Sequence, residues 1–310
     1  MELTNMEFEH SPVYGEQKCG FAALIGAPNA GKSTLSNQIA GGKVSIVTHK
    51  VQTTRARIRA IAIANSTQII LIDTPGIFKP KRKLDKAMVE AAWGGAKDCD
   101  ITLVVIDAAK GLNDENKNIV KQLDRNNSKN VWLVLNKIDL IKKEKLFALA
   151  EEFNNFYPFS HSFMISADKG HGVKQLVAKL EVVMPESTWL YPEDQMADIP
   201  TRLLAAELTR EKLFLKLHDE LPYSLTVETE KWTEQKDGSV RVEQVIYVQR
   251  TSQKKIVLGH RGEMIKNIGQ KSRLELAEIL GQKVHLFLFV KVRDNWLDDP
   301  ERLRQMGLDV

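Results

Sequence analysis

The apolar run Phe21-Ala22-Ala23-Leu24-Ile25 passes directly into Gly26-Ala27-Pro28-Asn29-Ala30-Gly31-Lys32-Ser33-Thr34. The first five residues read as a buried strand, and the G-x-x-x-x-G-K-[ST] pattern behind them as a loop that turns into a helix. Each fixed position has a physical task. Gly26 and Gly31 permit dihedrals at which successive amide N–H groups converge on an anion. The helix starting near Lys32 adds its positive end. Lys32 reaches β- and γ-phosphates as a point charge, and the Ser33 hydroxyl is placed for Mg²⁺. Such a phosphate loop needs a strand before it and a helix after it, which constrains the chain to an α/β fold.

The rest of the first half agrees. Further apolar runs lie at 57–63, 69–72, 103–106, 131–135 and 163–165, with helical stretches at about 33–40, 84–97, 114–125, 142–155 and 172–183. This alternation predicts a mostly parallel sheet with helices on both faces over residues 19–185. The alternating 57–63 run adjoins the next across Asn65-Ser66-Thr67, which predicts an antiparallel hairpin at the sheet edge. With 310 residues the chain exceeds what one core usually fills, so two domains are expected. No apolar run approaches the ~20 residues that cross a bilayer. Residues 1–18 lack periodicity and read as a loose leader, and the acidic Met1 to His10 stretch has neither a secretory nor a transit pattern. The expectation is a protein that stays in the compartment where it is made. Cys19 and Cys99 have no ligand spacing and read as buried thiols.

Open α/β sheets place ligands at the carboxyl ends of their strands. There the sequence has Asp73-Thr74-Pro75-Gly76, Asn136-Lys137-Ile138-Asp139 and Ser166-Ala167. Asp73 is placed to hold Mg²⁺ through a water, and the Gly76 N–H to meet a γ-phosphate, with the glycine as a hinge. A carboxylate at Asp139 accepts from guanine N1 and N2 together, while adenine offers no such donor pair, so GTP is favoured over ATP. Lys137 is expected to lay its stem on the base and tie back to the phosphate loop. The Ala167 N–H is expected to meet guanine O6.

With these residues the chain resembles the Era family of translation-factor-related GTPases, from about residue 19 to its end. Carrying the likeness are the phosphate loop, Gln52-Thr53-Thr54-Arg55, Asp73-Thr74-Pro75-Gly76-Ile77, Asn136-Lys137-Ile138-Asp139, Ile165-Ser166-Ala167 and Gly259-His260-Arg261-Gly262. The resemblance marks 52–56, ending at Ala56, as the first switch, with Thr54 preferred over Thr53 as the hydroxyl on Mg²⁺. Arg55 reads as a solvated arginine at a strand start. Ras-type GTPases orient water with a Gln just after the glycine of this loop, but here Ile77 and Phe78 follow Gly76. Slow GTP hydrolysis is therefore expected, with Lys32, Asn29 and Gly76 as the candidate catalytic positions. In related loops that Asn holds a potassium ion, so K⁺ joins GTP, GDP and Mg²⁺ as a hypothesised cofactor.

Residues 186–198, punctuated by Pro192, read as a linker. Beyond it the order is α-β-β-α-α-β, with helices at about 199–219, 252–258 and 262–280 and strands at 224–234, 240–249 and 283–292. Gly259-His260-Arg261-Gly262 sits between the two later helices. From Arg250 to Arg293 there are 10 Lys/Arg and 3 Asp/Glu, a local +7 in a chain of net +4. A GxxG corner on a basic flank predicts an α+β KH domain over 199–310 that clamps single-stranded RNA. Its contacts are expected from Gly259, His260, Arg261, Gly262 and Lys266, beside an apolar groove of Ile256, Val257, Ile265 and Ile268. Trp296 is expected to pack the tail down. The resemblance implies the type II variant of the domain and RNA near the 3′ end of small-subunit rRNA as target. It also implies a role in 30S subunit assembly and a cytoplasmic monomer in peripheral contact with the inner membrane face. A purely structural nucleotide and a tRNA-modifying relative are the alternatives; one phosphate loop without cysteine chemistry argues against the second.

Overall fold

The computed structural model of the chain describes residues 17–308, apart from 127, 129 and 295. Of the leader expected over 1–18, only the last two residues are described, and Lys18 already opens the first strand. The first unit comprises β1 (Lys18–Ile25), α1 (Lys32–Ala40), β2 (Ile58–Ala64), β3 (Thr67–Asp73), α2 (Lys83–Lys97), β4 (Ile101–Asp107), α3 (Asp114–Gln122), β5 (Val131–Asn136), α4 (Lys143–Phe156), β6 (His161–Met164) and α5 (Val173–Val183). Then follow β7 (Ala197–Asp198), α6 (Thr201–Lys216), β8 (Leu225–Glu234), β9 (Val240–Val248), α7 (Thr251–Leu258), α8 (Glu263–Leu280), β10 (Val284–Val292) and α9 (Pro300–Gln305).

The larger sheet has the order β6-β5-β4-β1-β3-β2-β7. β1 pairs in parallel with β3 and β4, and β5 in parallel with β4 and β6, while β2 runs antiparallel to β3. Helices cover both faces, over one core around Ile25, Leu133 and Phe153 and another around Leu24, Trp132 and Ile165. Strands buried on both sides read as unbroken apolar runs, which makes them visible in the sequence. The hairpin does not form the edge. β7 adds to β2 through Arg59↔Asp198 and Ala60↔Ala197. The segment expected as a free linker is docked because Gln68, buried in β3, needs partners: its Oε1 accepts from the N–H groups of Leu190 and Tyr191, and its Nε2 donates to the Tyr191 carbonyl.

The second sheet has the order β10-β9-β8, with β9 central, parallel to β10 and antiparallel to β8. Its elements follow the expected α-β-β-α-α-β order. The expected groove is narrower than the sequence implies. Val257 and Ile268 belong to the core with Phe214 and Ile246, leaving Ile256 exposed and Ile265 half-buried at the surface. Ile256 and Val257 are adjacent on a helix and cannot share a face. Trp296 is fully buried and its Nε1 donates to the Ser224 carbonyl at 3.2 Å. With Leu303, Met306 and Leu308 it packs on Leu84, Met88 and Ala91 of α2, so the tail returns to the first unit. Cys19 and Cys99 are buried free thiols, and burial pushes Cys99 up to about 12. Among the described residues no helix is long and apolar enough to cross a membrane.

Candidate functional site

A cleft of about 280 Å³ opens at the carboxyl ends of the central strands, lined among others by Pro28, Lys32, Ser33, Thr54, Gly76 and Lys137. Gly31, at φ 98°, caps α1; a Cβ there would stand 2.1 Å from the Asn136 amide nitrogen, so the position takes no side chain. Lys32 Nζ donates to the carbonyls of Gly26 and Ala27, each at 3.0 Å. Burial pushes its ammonium down to about 8, against the pull of Asp73. Ala27, Pro28 and Ala30 are buried, while Thr34 lies at the cleft wall. Asn29 (φ 61°) donates its amide N–H to the His49 carbonyl at 2.8 Å. The amide's other polar atom is its oxygen, the one a cation would need.

The Ser33 and Thr54 hydroxyls lie 2.8 Å apart. Thr53 turns instead to Thr48 Oγ1 at 2.6 Å and the Lys50 carbonyl at 2.7 Å. Asp73 is fully buried, and neither carboxylate oxygen has a hydrogen-bond partner among the described residues. Burial raises its carboxyl above the usual range, offset in part by the nearby Ser33 hydroxyl, Lys32 and Ser45. Two hydroxyls and an unpaired buried carboxylate form a hard-oxygen set that fits Mg²⁺. Thr74 Oγ1 donates to the Leu24 carbonyl at 2.6 Å, and Pro75 and Gly76 are buried. A Cβ on Gly76 would come within 2.8 Å of the Pro28 backbone. The glycine is thus required by close loop-to-loop approach. The Ile77 N–H donates to the Gly26 carbonyl at 3.0 Å and its side chain enters the core, away from the cleft.

At the base end, Asn136 ties two loops together: Nδ2 donates to the Ala30 carbonyl at 2.8 Å and Oδ1 accepts from the Ala167 N–H at 2.9 Å. The same N–H is the one expected on guanine O6. Lys137 (φ 62°) pairs with Asp107 at 2.7 Å and not with the phosphate loop. Register explains this, since Asp107 stands opposite Asn136 on β4 and supplies the nearer charge. Asp139 is exposed, and a hydrogen bond from the Ser166 hydroxyl holds its carboxyl below the usual range.

The segment expected as the first switch is pinned to the second domain, which sequence reasoning missed. Arg55, expected in solvent, is 3 % exposed: Nη1 donates to the Leu225 carbonyl at 2.9 Å and the guanidinium lies 5.7 and 5.8 Å from the Phe214 and Trp296 ring centres. Arg210 Nη2 donates to the Thr53 carbonyl, and Glu211 accepts from the Val47 N–H at 2.9 Å and pairs with Lys43 at 2.7 Å. Ile46 is buried among Ala205, Leu208 and Leu276. On the other side Gln52 donates to Asp85 of α2 at 3.2 Å, and Ala56 is half-buried. In the sequence, Arg210 and Glu211 look like any charged pair on a helix surface, and nothing marks them as anchors.

At the far end, His260–Gly262 form one tight turn between α7 and α8, with Arg261 left-handed at φ 48°. His260, Arg261 and Lys266 are exposed, and α8 begins at Glu263 with Gly262 as its cap. The turn thus holds two cationic or titratable side chains outward beside a helix N-terminus.

Two family models match in order: a 50S ribosome-binding GTPase over residues 21–137 and a KH domain over 220–297. Curated relatives include the GTPase Era of Brucella suis biovar 1, 61% identical over 304 residues and covering 96% of this chain and 97% of the relative. That of Mesorhizobium japonicum is 58% identical over 307 residues, with 99% and 98% covered. Among solved structures, Era in complex with MgGDPNP and nucleotides 1506–1542 of 16S ribosomal RNA matches at 37% identity and a TM-score of 0.91, over 95% of this chain and 100% of that one. A single-residue variant of Aquifex aeolicus Era bound to GDP·AlF4⁻ matches at 37% and 0.90, over the same shares. A phosphate-loop domain joined to a KH domain, matched nearly end to end by these relatives, places the chain in the Era family of GTPases.

Proposed function

We propose that the chain is a GTP-hydrolysing switch in the cytoplasm that holds single-stranded RNA near the 3′ end of small-subunit rRNA and assists 30S assembly. The observation that carries this reading is the match, over 95% of the chain, to a relative whose structure contains MgGDPNP and nucleotides 1506–1542 of 16S rRNA.

In this reading the amides from Gly26 to Thr34 and the Lys32 ammonium bind the phosphates, and Asp139 selects guanine. Ser33, Thr54 and Asp73 would hold Mg²⁺. Bound there, the ion neutralises charge that develops on the transferred phosphoryl group. Gly76 lets its loop lie against Pro28, bringing its N–H toward the γ-phosphate. Ile77, turned into the core, cannot orient water, so hydrolysis by the protein alone is slow. Asn29 offers an oxygen to K⁺, and equal turnover in K⁺ and Na⁺ would dismiss that role. Gly259 to Gly262 and Lys266 clamp the RNA backbone.

The test is single-turnover GTP hydrolysis with and without an RNA spanning the equivalent of nucleotides 1506–1542. Acceleration by that fragment and not by an unrelated strand is expected. RNA binding unmoved by nucleotide, with hydrolysis unmoved by RNA, would favour a nucleotide with a structural role only.

A further inference from the structure

We propose that Arg210 and Glu211, on the first helix of the KH domain, are positioning residues for the magnesium-binding hydroxyl of Thr54. Resting on the reading of Thr54 given above, the inference makes the RNA-binding domain part of the scaffold on which hydrolysis occurs.

Between α1 and β2 the backbone from 41 to 57 has no helix or strand to hold it. An isolated loop of this length would leave Thr54 free to move, and a metal ligand is useful only when its donor atom is fixed. The α6 helix supplies what the loop lacks. Glu211 clamps the early part, accepting from the Val47 N–H at 2.9 Å and pairing with Lys43 at 2.7 Å. Arg210 clamps the late part through the Thr53 carbonyl, one residue before Thr54.

Both clamps are themselves held. Arg210 is 1 % exposed, with Nε on Glu207 Oε1 at 2.7 Å and the guanidinium 4.9 Å from the centre of the Phe214 ring. Glu211 is 3 % exposed and also accepts from Lys212 at 2.6 Å. Lys43 and Lys212 both reach Glu275 as well. Glu275 lies on α8, the helix that starts at the Gly259–Gly262 turn. A shift of α8 on binding RNA therefore acts on the same charges that hold the loop. By contrast, α6 places none of these anchors on the phosphate loop or on Asp139, where diphosphate and base are bound.

The full-length protein tests this with Arg210→Gln, Arg210→Lys, Glu211→Ala and Thr54→Ala, each checked by its thermal unfolding midpoint. Arg210→Gln and Glu211→Ala should raise the Mg²⁺ concentration for half-maximal single-turnover GTP hydrolysis roughly tenfold, while leaving GDP affinity in place. Arg210→Lys, which keeps a donor for the Thr53 carbonyl, should recover part of the loss. Folded Arg210 and Glu211 variants with the wild-type Mg²⁺ requirement, while Thr54→Ala shifts it, would overturn the positioning role alone. Parallel loss of GDP and GTP affinity would likewise overturn it, as a merely structural effect. Thr54→Ala with an unchanged Mg²⁺ requirement would overturn the underlying reading of Thr54.

Discussion

Arg55 Nη1 donates to the Leu225 carbonyl at 2.9 Å, so the residue next to the Thr54 hydroxyl is rooted in the neighbouring domain. Its Nε and Nη2 have no hydrogen-bond partners among the described residues, and burial together with Arg210 disfavours its charge. A long apolar side chain in its place keeps the volume and removes the desolvated charge. Arg55→Met is expected to change stability by less than about 1.5 kcal/mol. Arg55→Ala opens a cavity between Phe214 and Trp296 and should cost about 2–4 kcal/mol. Urea unfolding of both variants decides, and a Met variant as costly as the Ala one would show that the charge itself is needed.

Lys32 gives nucleotide binding a pH dependence. Its buried ammonium, near 8 in the nucleotide-free protein, regains its proton when phosphates arrive. Calorimetry in buffers of different ionisation enthalpy should show proton uptake above about pH 8 and little at neutral pH, with GDP affinity falling by up to about tenfold per pH unit there. Because the folded value lies below the unfolded 10.5, the unfolded chain holds more protons in that window. The nucleotide-free fold therefore gains stability as pH rises from about 8 toward 10.5. Lys32→Met should abolish phosphate binding and flatten that rise.

For Asp73 the sign is opposite. A carboxyl raised by burial makes the folded state hold more protons than the unfolded one just above 3.8, so this group's contribution to stability falls as pH rises through that window. Mg²⁺ needs the ionised form, so its apparent affinity with GTP should weaken on acidification at a higher pH than an ordinary carboxylate would give. Asp73→Asn should leave the nucleotide-free thermal midpoint equal or higher and remove the Mg²⁺ dependence of GTP binding. A lower midpoint would contradict the burial argument.

Much of this is legible in the sequence because the phosphate loop, Asp73 and Asn136 sit at the ends of unbroken apolar runs. What escapes depends on contacts between distant segments. Arg55 reads as solvated because nothing local says that Phe214 and Trp296 form a slot for it. The two hydrogen bonds by which Asn136 joins the Ala30 carbonyl to the Ala167 N–H are equally invisible, because the motif shows only the order of the residues. The stretch from 186 to 198 reads as a linker because the demands of one buried glutamine, Gln68, cannot be seen in its composition.

In the proposed function base choice rests on an exposed carboxylate, Asp139. Asp139→Asn replaces two acceptors by one acceptor and a donor, which suits the 2-oxo group of xanthine better than the 2-amino group of guanine. Competition binding should show GTP weakened and XTP strengthened. A variant that loses both equally would mean that Asp139 acts through folding.

RNA contact is tested at Arg261, whose side chain is exposed. Arg261→Ala should weaken binding of a single strand without moving the thermal midpoint. The salt dependence should flatten by roughly 0.7 in log–log slope, the share of one phosphate contact. An unchanged slope would place the cation outside the bound backbone.

The apolar side of α2 is covered by Trp296, Leu303, Met306 and Leu308, which come from the far end of the chain. A chain made from its N-terminus onward therefore completes the sheet of its first unit while Leu84, Met88 and Ala91 still lack their lid. Until the tail emerges, that greasy strip is open to chaperones or to a second nascent chain. Its closure waits for a segment that follows the whole KH module, so the strip is sealed by residues more than 200 positions further along the chain.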